Sequence, residues 1–344
     1  QAYVDLFDKF KVRSDSLDSH KHYGGHILTG SPGLGKSTFV VYLIWRLLHE
    51  SKATGKPLHI VYKTKSKFWM AQIMKGTVDK VRNLPSKTEL DMNQIMEFFP
   101  DNIEPSSLWV IIDSEAPSED LLFGTVLLVT SPKEVLWKEW MKQTQVKTQF
   151  YMPEWTDAEV DACKELCFPD CPEELPFINN NPPQGIPRPA TRREFFGNCP
   201  RWLFSADEES VSIAVKGIEL AIQNADVSML NIRTPDKIFN KNTPHRLLTL
   251  FGIKEDFDLS SQSVYIDFWS AHLRWVFNQV MCKFMKKQLE DWLSTCTIAP
   301  LQVLRGRTFE DYIHIQLSLK PHTLQLHCLP PAAEQSSTAA APLQ

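Results

Sequence analysis

No stretch of this 344-residue sequence stays apolar for the roughly 18–20 residues a membrane-spanning helix needs, so nothing in it reads as a membrane span. Neither sign of charge dominates: 37 Lys and Arg stand against 41 Asp and Glu, a formal net charge of −4. That balance is not the electrostatic footprint of a nucleic-acid binder, although basic patches at 63–67, 188–201 and 283–287 leave DNA as a further candidate partner. The seven cysteines (163, 167, 171, 199, 282, 296 and 328) are scattered and odd in number. With no C-x-x-C pair and no matching histidine pair, they argue against zinc and against a disulfide framework, and they suit a reducing compartment. Also missing are a G-x-S-x-G elbow, an H-E-x-x-H pair, an N-K-x-D-like guanine-reading segment and any internal repeat. The chain opens on Gln1 with no charged and apolar leader behind it, which reads as a fragment or a processed product.

What is present is the material of a globular protein, 43% hydrophobic and 23% charged, long enough for two domains. The feature that organises it is GHILTGSPGLGKSTFVVYLIWRLLHE at 25–50. Gly30, Gly35, Lys36 and Ser37 spell G-x-x-x-x-G-K-[ST], the phosphate-binding P-loop. His26–Thr29 reads as the strand that enters it. Ser37–His49 reads as the helix that leaves it, with Phe39, Val40, Leu43, Ile44, Leu47 and Leu48 at helical spacing. Glycines at 30, 33 and 35 let successive N–H groups turn inward around an anion, and the helix start adds unpaired N–H groups and a favourable dipole. The expected nucleotide-binding residues are Gly30, Ser31, Pro32, Gly33, Leu34, Gly35, Lys36, Ser37 and Thr38. Lys36 would reach the β- and γ-phosphates and the Ser37 hydroxyl would hold Mg²⁺.

Around that loop, 24–153 alternates strand and helix as an open α/β sheet does. LWVIID (108–113) and TVLLVT (125–130) are continuous apolar runs, suited to parallel strands covered on both faces. Asp113 is the expected Walker B acid, holding magnesium together with Ser37. Glu115, two residues on, is the candidate for polarising the attacking water. Thr130, at the end of its strand, is the candidate γ-phosphate sensor, since ligands of open sheets bind beyond the strands' carboxyl ends. Arg201, in FFGNCPRWL, is the candidate arginine brought over the transferred phosphoryl group, with Arg188, Arg192 and Arg193 close in sequence.

The remaining segments sort by composition. Residues 1–24 form a lead-in with a short amphipathic helix at Val4, Leu6, Phe7 and Phe10. The stretch 58–70 reads as extended, with Lys63, Lys65 and Lys67 on one face. A short helix is expected near 92–98, a second over 134–144, a strand at 150–153, and a helix at 157–166 capped by Thr156 with Glu159 closing a capping box. Seven prolines and three consecutive asparagines make 169–190 a loop or linker. From 191 to 319 a helical lid is expected, with helical periodicity over 191–206, 210–224, 235–248 and 264–293 and the longest helix near 268–293. The segment 320–344 reads as a disordered tail.

GSPGLGKSTFVVYLIWRLL, LWVIID, TVLLVTSPKEVLWKEWMK with FYMPEWTDAEV, FFGNCPRWLF and LRGRTFEDYIH together resemble the P-loop module of Crinkler-type and retrotransposon-hot-spot-type proteins, over roughly 20–320. The resemblance implies an ATP- and Mg²⁺-dependent ATPase related to the AAA+/STAND group. In the family it is often joined to a restriction-endonuclease-like domain, in effectors delivered to host cells and often found in nuclei. Carried over, Gly30–Ser37 would be Walker A, Asp113 Walker B and Arg201 the arginine of a G-x-x-P-R-like block. Glu310 would match a glutamate of the nuclease, but no D…E-x-K cluster follows residue 311, so nuclease activity is not expected and that domain reads as missing or truncated. The combined expectation is a soluble nucleotide-controlled ATPase switch acting in host cytoplasm or nucleus, with a protein partner or self-association as output. A P-loop kinase, or a scaffold that keeps nucleotide without hydrolysing it, is the alternative.

Overall fold

Strands that bury both faces need continuous apolar sequence, and the two runs that have it form the middle of a seven-stranded sheet. The computed structural model describes residues 2–15, 23–99, 103–115, 123–131, 140, 147–176, 189, 191–224, 247–252, 264–297 and 301–319. In chain order the first half holds α1 (Ala2–Asp15), β1 (Tyr23–Thr29), α2 (Lys36–Thr54), β2 (Leu58–Thr64), β3 (Phe68–Met74), β4 (Thr77–Leu84), α3 (Met92–Phe98), β5 (Leu108–Asp113), β6 (Gly124–Val129), β7 (Lys147–Tyr151) and α4 (Asp157–Cys167). The strands lie in the order β4-β3-β2-β5-β6-β1-β7. Five of them, from β2 to β7, run parallel, and the β3–β4 hairpin extends β2 antiparallel.

Each face of the sheet has its own core. Leu28, Ile111, Leu127 and Val129 point to one side, where α1 supplies Leu6, Phe7 and Phe10 and α2 supplies Phe39, Val40, Leu43 and Leu47. Ile27, Val110, Ile112, Val126 and Leu128 point to the other, against Ile95 and Phe98 of α3 and Trp140. The parallel register brings the strand ends level: Asp113 opposes Val129, Val129 opposes Leu28, and Thr29 opposes Tyr151. Three further bonds carry the ladder past the strands: Ser114 N–H to Val129 O, Thr130 N–H to Leu28 O and Met152 N–H to Thr29 O, at 2.8–3.0 Å. Asp113, Thr130 and Gly30 are thereby set along one edge of the sheet.

The second half holds α5 (Arg192–Phe196), α6 (Pro200–Leu203), α7 (Glu208–Gln223), β8 (Leu248–Gly252), β9 (Val264–Phe268), α8 (Ala271–Phe284), α9 (Lys286–Thr295) and α10 (Gln302–Leu319). Its apolar side chains, from Phe195 to Leu304, join the same cluster as α1, α2 and that face of the sheet.

Several sequence expectations are corrected here. The stretch 264–293 is not helical throughout. Its first five residues pair with β8, burying Ile266 and Phe268 on one side, and the helix that follows breaks at Met285 (φ −138°, ψ 35°) into α8 and α9. Among the described residues the longest helix of this half is α10. The run 58–70 is two strands with a turn at 65–67, closed by Thr64 N–H to Lys67 O at 2.7 Å, so Lys65 and Lys67 do not share a strand face with Lys63. The strand β4 has no apolar signature because all but one of its residues are exposed at the sheet edge. The helices expected over 134–144 (Trp140 apart) and 235–246 lie outside the described residues, as do Arg188, most of the proline-rich linker and the tail. Leu248 begins β8 rather than ending a helix.

Candidate phosphate site

The glycine loop is held by its carbonyls. Lys36 Nζ donates to Gly30 O at 2.7 Å and to Ser31 O at 2.8 Å. The Cys199 thiol donates to Pro32 O at 3.8 Å, Trp155 Nε1 to Leu34 O at 3.1 Å, and the Tyr3 hydroxyl to Gly35 O at 2.8 Å. The loop carbonyls at 30, 31, 32, 34 and 35 are thus engaged on protein donors, and the Ser31 backbone N–H reaches the Tyr151 hydroxyl. Gly35 sits at φ 95°, the left-handed conformation that starts α2, and a Cβ there would come within 2.5 Å of the Tyr3 hydroxyl. The fold, not the loop alone, thus sets this cradle.

Four distant segments meet on it. Tyr3 arrives on α1. Trp155 follows β7 and precedes α4, whose start carries the expected capping box of Thr156 and Glu159. Cys199 and Arg201 come from the turn into α6, and a Cβ on Gly33 would meet Cys199 Sγ at 2.7 Å and Arg201 Cβ at 3.0 Å. Thr249 of β8 shares a 2.6 Å hydroxyl contact with Ser31, both fully buried, and Tyr151 hydrogen-bonds into the same pair.

Lys36 is the centre of the site's electrostatics. Burial of its ammonium, reinforced by the Arg201 charge, brings its pKa down to about 7, while Asp113 and Cys199 pull the other way. Asp113 and Arg201, far apart in sequence, therefore both act on Lys36. Asp113 is buried and accepts from the Ser114 hydroxyl at 2.8 Å. Two hydroxyls at the strand ends, those of Thr29 and Thr130, are buried with no hydrogen-bond partner among the described residues. Glu115 stands in an ion pair with Lys63 at 3.2 Å. Ser37 and Thr38 are exposed at the start of α2, and the Thr38 side chain meets the Tyr3 hydroxyl.

Tyr3, Trp155, Asn198 and Thr249 are site residues that motif reading missed. The Asn198 amide side chain donates to Trp155 O and to Asp157 Oδ1, both at 2.9 Å, and its backbone N–H donates to Glu154 Oε1 at 3.1 Å. The FFGNCPRWL and PEWTD blocks are thereby bound together behind the loop.

Compared with known proteins, the chain is 29% identical over 138 residues to Crinkler effector protein 15 of Phytophthora infestans, and 29% identical over the same length to Crinkler effector protein 16 of that organism. The chain is similar to Crinkler effectors. The similarity covers 39% of this chain and 19% of each relative, so the chain spans about a fifth of the length of the curated relatives it matches. No family model matches. These matches support a Crinkler-like relationship. No described helix is long and apolar enough to cross a membrane. Among the described residues no cluster of three or more His, Cys, Asp or Glu is arranged to hold a metal.

Proposed function

We propose that this chain is an ATP-binding, Mg²⁺-dependent ATPase module of a Crinkler-like effector, working as a nucleotide-controlled switch of the AAA+/STAND kind. The observation that carries the reading is the glycine loop whose carbonyls are engaged on Lys36, Cys199, Trp155 and Tyr3, with the buried Lys36 ammonium and the Arg201 charge beside it. The unsatisfied Thr29 and Thr130 hydroxyls at that edge suit a polar guest. On nucleotide entry Lys36 exchanges its two loop carbonyls for phosphate oxygens, and Arg201 meets the charge of the transferred group. The exposed Ser37 hydroxyl and the buried Asp113 carboxylate are the residues that would hold Mg²⁺, which when bound neutralises charge between the β- and γ-phosphates. Thr130 faces the γ-phosphate, and Glu115 orients water once it leaves Lys63. The effector role, and action in host cytoplasm or nucleus, rest on the relatives' name and the family resemblance.

The test is nucleotide binding and phosphate release by the intact chain and by Lys36→Ala. Loss of both in the variant is expected, and unchanged binding overturns the assignment. Phosphoryl transfer to an organic acceptor is a second reading, favoured by a cavity of about 770 Å³ between Pro32, Arg201, Trp202 and α7. It predicts that candidate acceptors are phosphorylated in place of free phosphate release.

A further inference from the structure

The sheet ends on one side at β4, and no described strand lies beyond it. Among the described residues, none of the backbone groups of Thr77–Leu84 bonds to anything outside the β3–β4 hairpin. Such a row of unpaired N–H and C=O groups is a template for one more strand, and it is ordinarily blunted by lysine, by a bulge or by a covering element. The blunting of β4 is partial. A register shift between Gln72 and Ile73 leaves Asp79 as the extra residue, and Lys80–Leu84 then pair regularly. Lys80, which could guard that run, is laid onto α3 instead. Its Nζ donates to Phe98 O at 3.0 Å and stands 4.4 Å from the centre of the Phe98 ring. Nor is the strand covered, since residues 77–83 are all exposed.

Pairing with β3 sorts the side chains of the regular run onto two faces. Val81 lies opposite Ala71, and Asn83 lies opposite Trp69, whose ring is 5.4 Å from that of Tyr62. On the other face Lys80 lies opposite Gln72 and Arg82 opposite Met70. Polar residues would suffice at an exposed edge, yet Val78 and Val81 are 52% and 53% exposed. The setting is also basic: residues 58–90 carry seven Lys and Arg against two Asp and Glu, in a chain of net charge −4. Two copies joined at this edge would bring two such basic hairpins together, so like charge opposes a second copy as the guest. A nucleic acid would meet the charges and leave the valines and the edge carbonyls unmatched.

We infer that β4 is a docking edge for an extended acidic segment of a partner protein, which adds to the sheet as an eighth strand. Its main chain completes the ladder along Lys80–Leu84. Its apolar side chains lie beside Val81 on the face of Trp69, and its carboxylates meet Arg82 on the other face. The partner that fits is therefore a strand in which acidic and apolar residues alternate. In the sheet β4 stands five strand spacings from β1, about 24 Å, so the guest leaves the glycine loop open and docks without nucleotide.

The experiment titrates a fluorescent peptide of alternating glutamate and valine, matched to β4 in length, with the full chain at about 150 mM salt. Saturable fluorescence anisotropy is expected, together with slowed amide exchange over 77–84 read by mass spectrometry. Two further peptides, one N-methylated at every valine and one at every glutamate, separate a ladder from mere charge attraction. Alternate amides of a strand point to opposite edges, so one methylated form keeps its affinity and the other loses at least about tenfold. Arg82→Glu, at an exposed position, weakens the parent peptide roughly tenfold with an unchanged circular dichroism spectrum. If that variant does not fold, the methylated pair on the wild-type chain decides. Absence of saturable binding, equal affinity of the two methylated peptides, or unchanged affinity of folded Arg82→Glu overturns the proposal. So does tighter binding of a single-stranded oligonucleotide of the same charge, or self-association of the chain that the peptide displaces.

Discussion

Lys36 enters the resting site with its pKa brought down to about 7, far below the ordinary lysine range, because its ammonium is buried with Arg201 nearby. A polyphosphate in the loop supplies the negative charge that is missing, so binding raises that pKa again. At pH 8, where free Lys36 is largely neutral, nucleotide binding should take up close to one proton. Calorimetry in two buffers of different ionisation enthalpy measures it, and equal heats in both would contradict this electrostatic picture. Glu154 carries the opposite shift: burial pushes its carboxyl up to about 7, the Asn198 amide opposes that, and Asp267 and Asp157 add to it. Between the ordinary carboxylate range and pH 7 the folded chain therefore holds more protons than the unfolded one, and stability falls as pH rises through that window. Glu154→Gln keeps an acceptor for Asn198 without the charge. It should be more stable than wild type at pH 8 and no more stable at pH 4.5, as read by urea denaturation at both.

Between α5 and α6 the chain turns at Gly197, φ 60° and ψ −151°. A Cβ there would lie 1.9 Å from the Trp269 carbonyl oxygen, a backbone atom that cannot swing aside. Gly197→Ala combines a strained backbone with overpacking and should cost about 3 kcal/mol, checked by chemical denaturation. Elements differ in how plainly the sequence announces them. LWVIID and TVLLV read as strands because burial on both faces demands continuous apolar residues, and the α4 capping box reads from Thr156 and Glu159 alone. β4 is silent because an exposed edge strand needs only polar residues. β9 misleads because VYIDF runs straight into the helical period of α8, and its inward Asp267 is made tolerable by Arg274 and Arg307, which arrive from α8 and α10. The same holds in the site. The glycine motif at 30–37 is local and legible, whereas Tyr3, Trp155 and Thr249 bind the loop through contacts that no spacing encodes.

At the scale of the whole molecule, one apolar cluster runs from Leu6 on α1 through the sheet to Leu304 on α10. No separate core marks off the helical half among the described residues, despite the proline-rich stretch between the halves. Urea unfolding followed by far-ultraviolet and near-ultraviolet circular dichroism should therefore give coincident single transitions. Two separated transitions would show that the halves fold independently.

The clamps on the glycine loop also set an order of assembly. Residues 3, 155, 199 and 249 all press on positions 31–35, so these contacts close over sequence separations from 32 to 218 residues. Contacts of such span form late in folding. During synthesis the loop emerges among the first fifty residues, yet Thr249 reaches it only after most of the chain has been made. A nucleotide bound as proposed would therefore not template early folding of this protein. It would be a ligand of the finished molecule, and occupancy of the loop would report that both halves have come together.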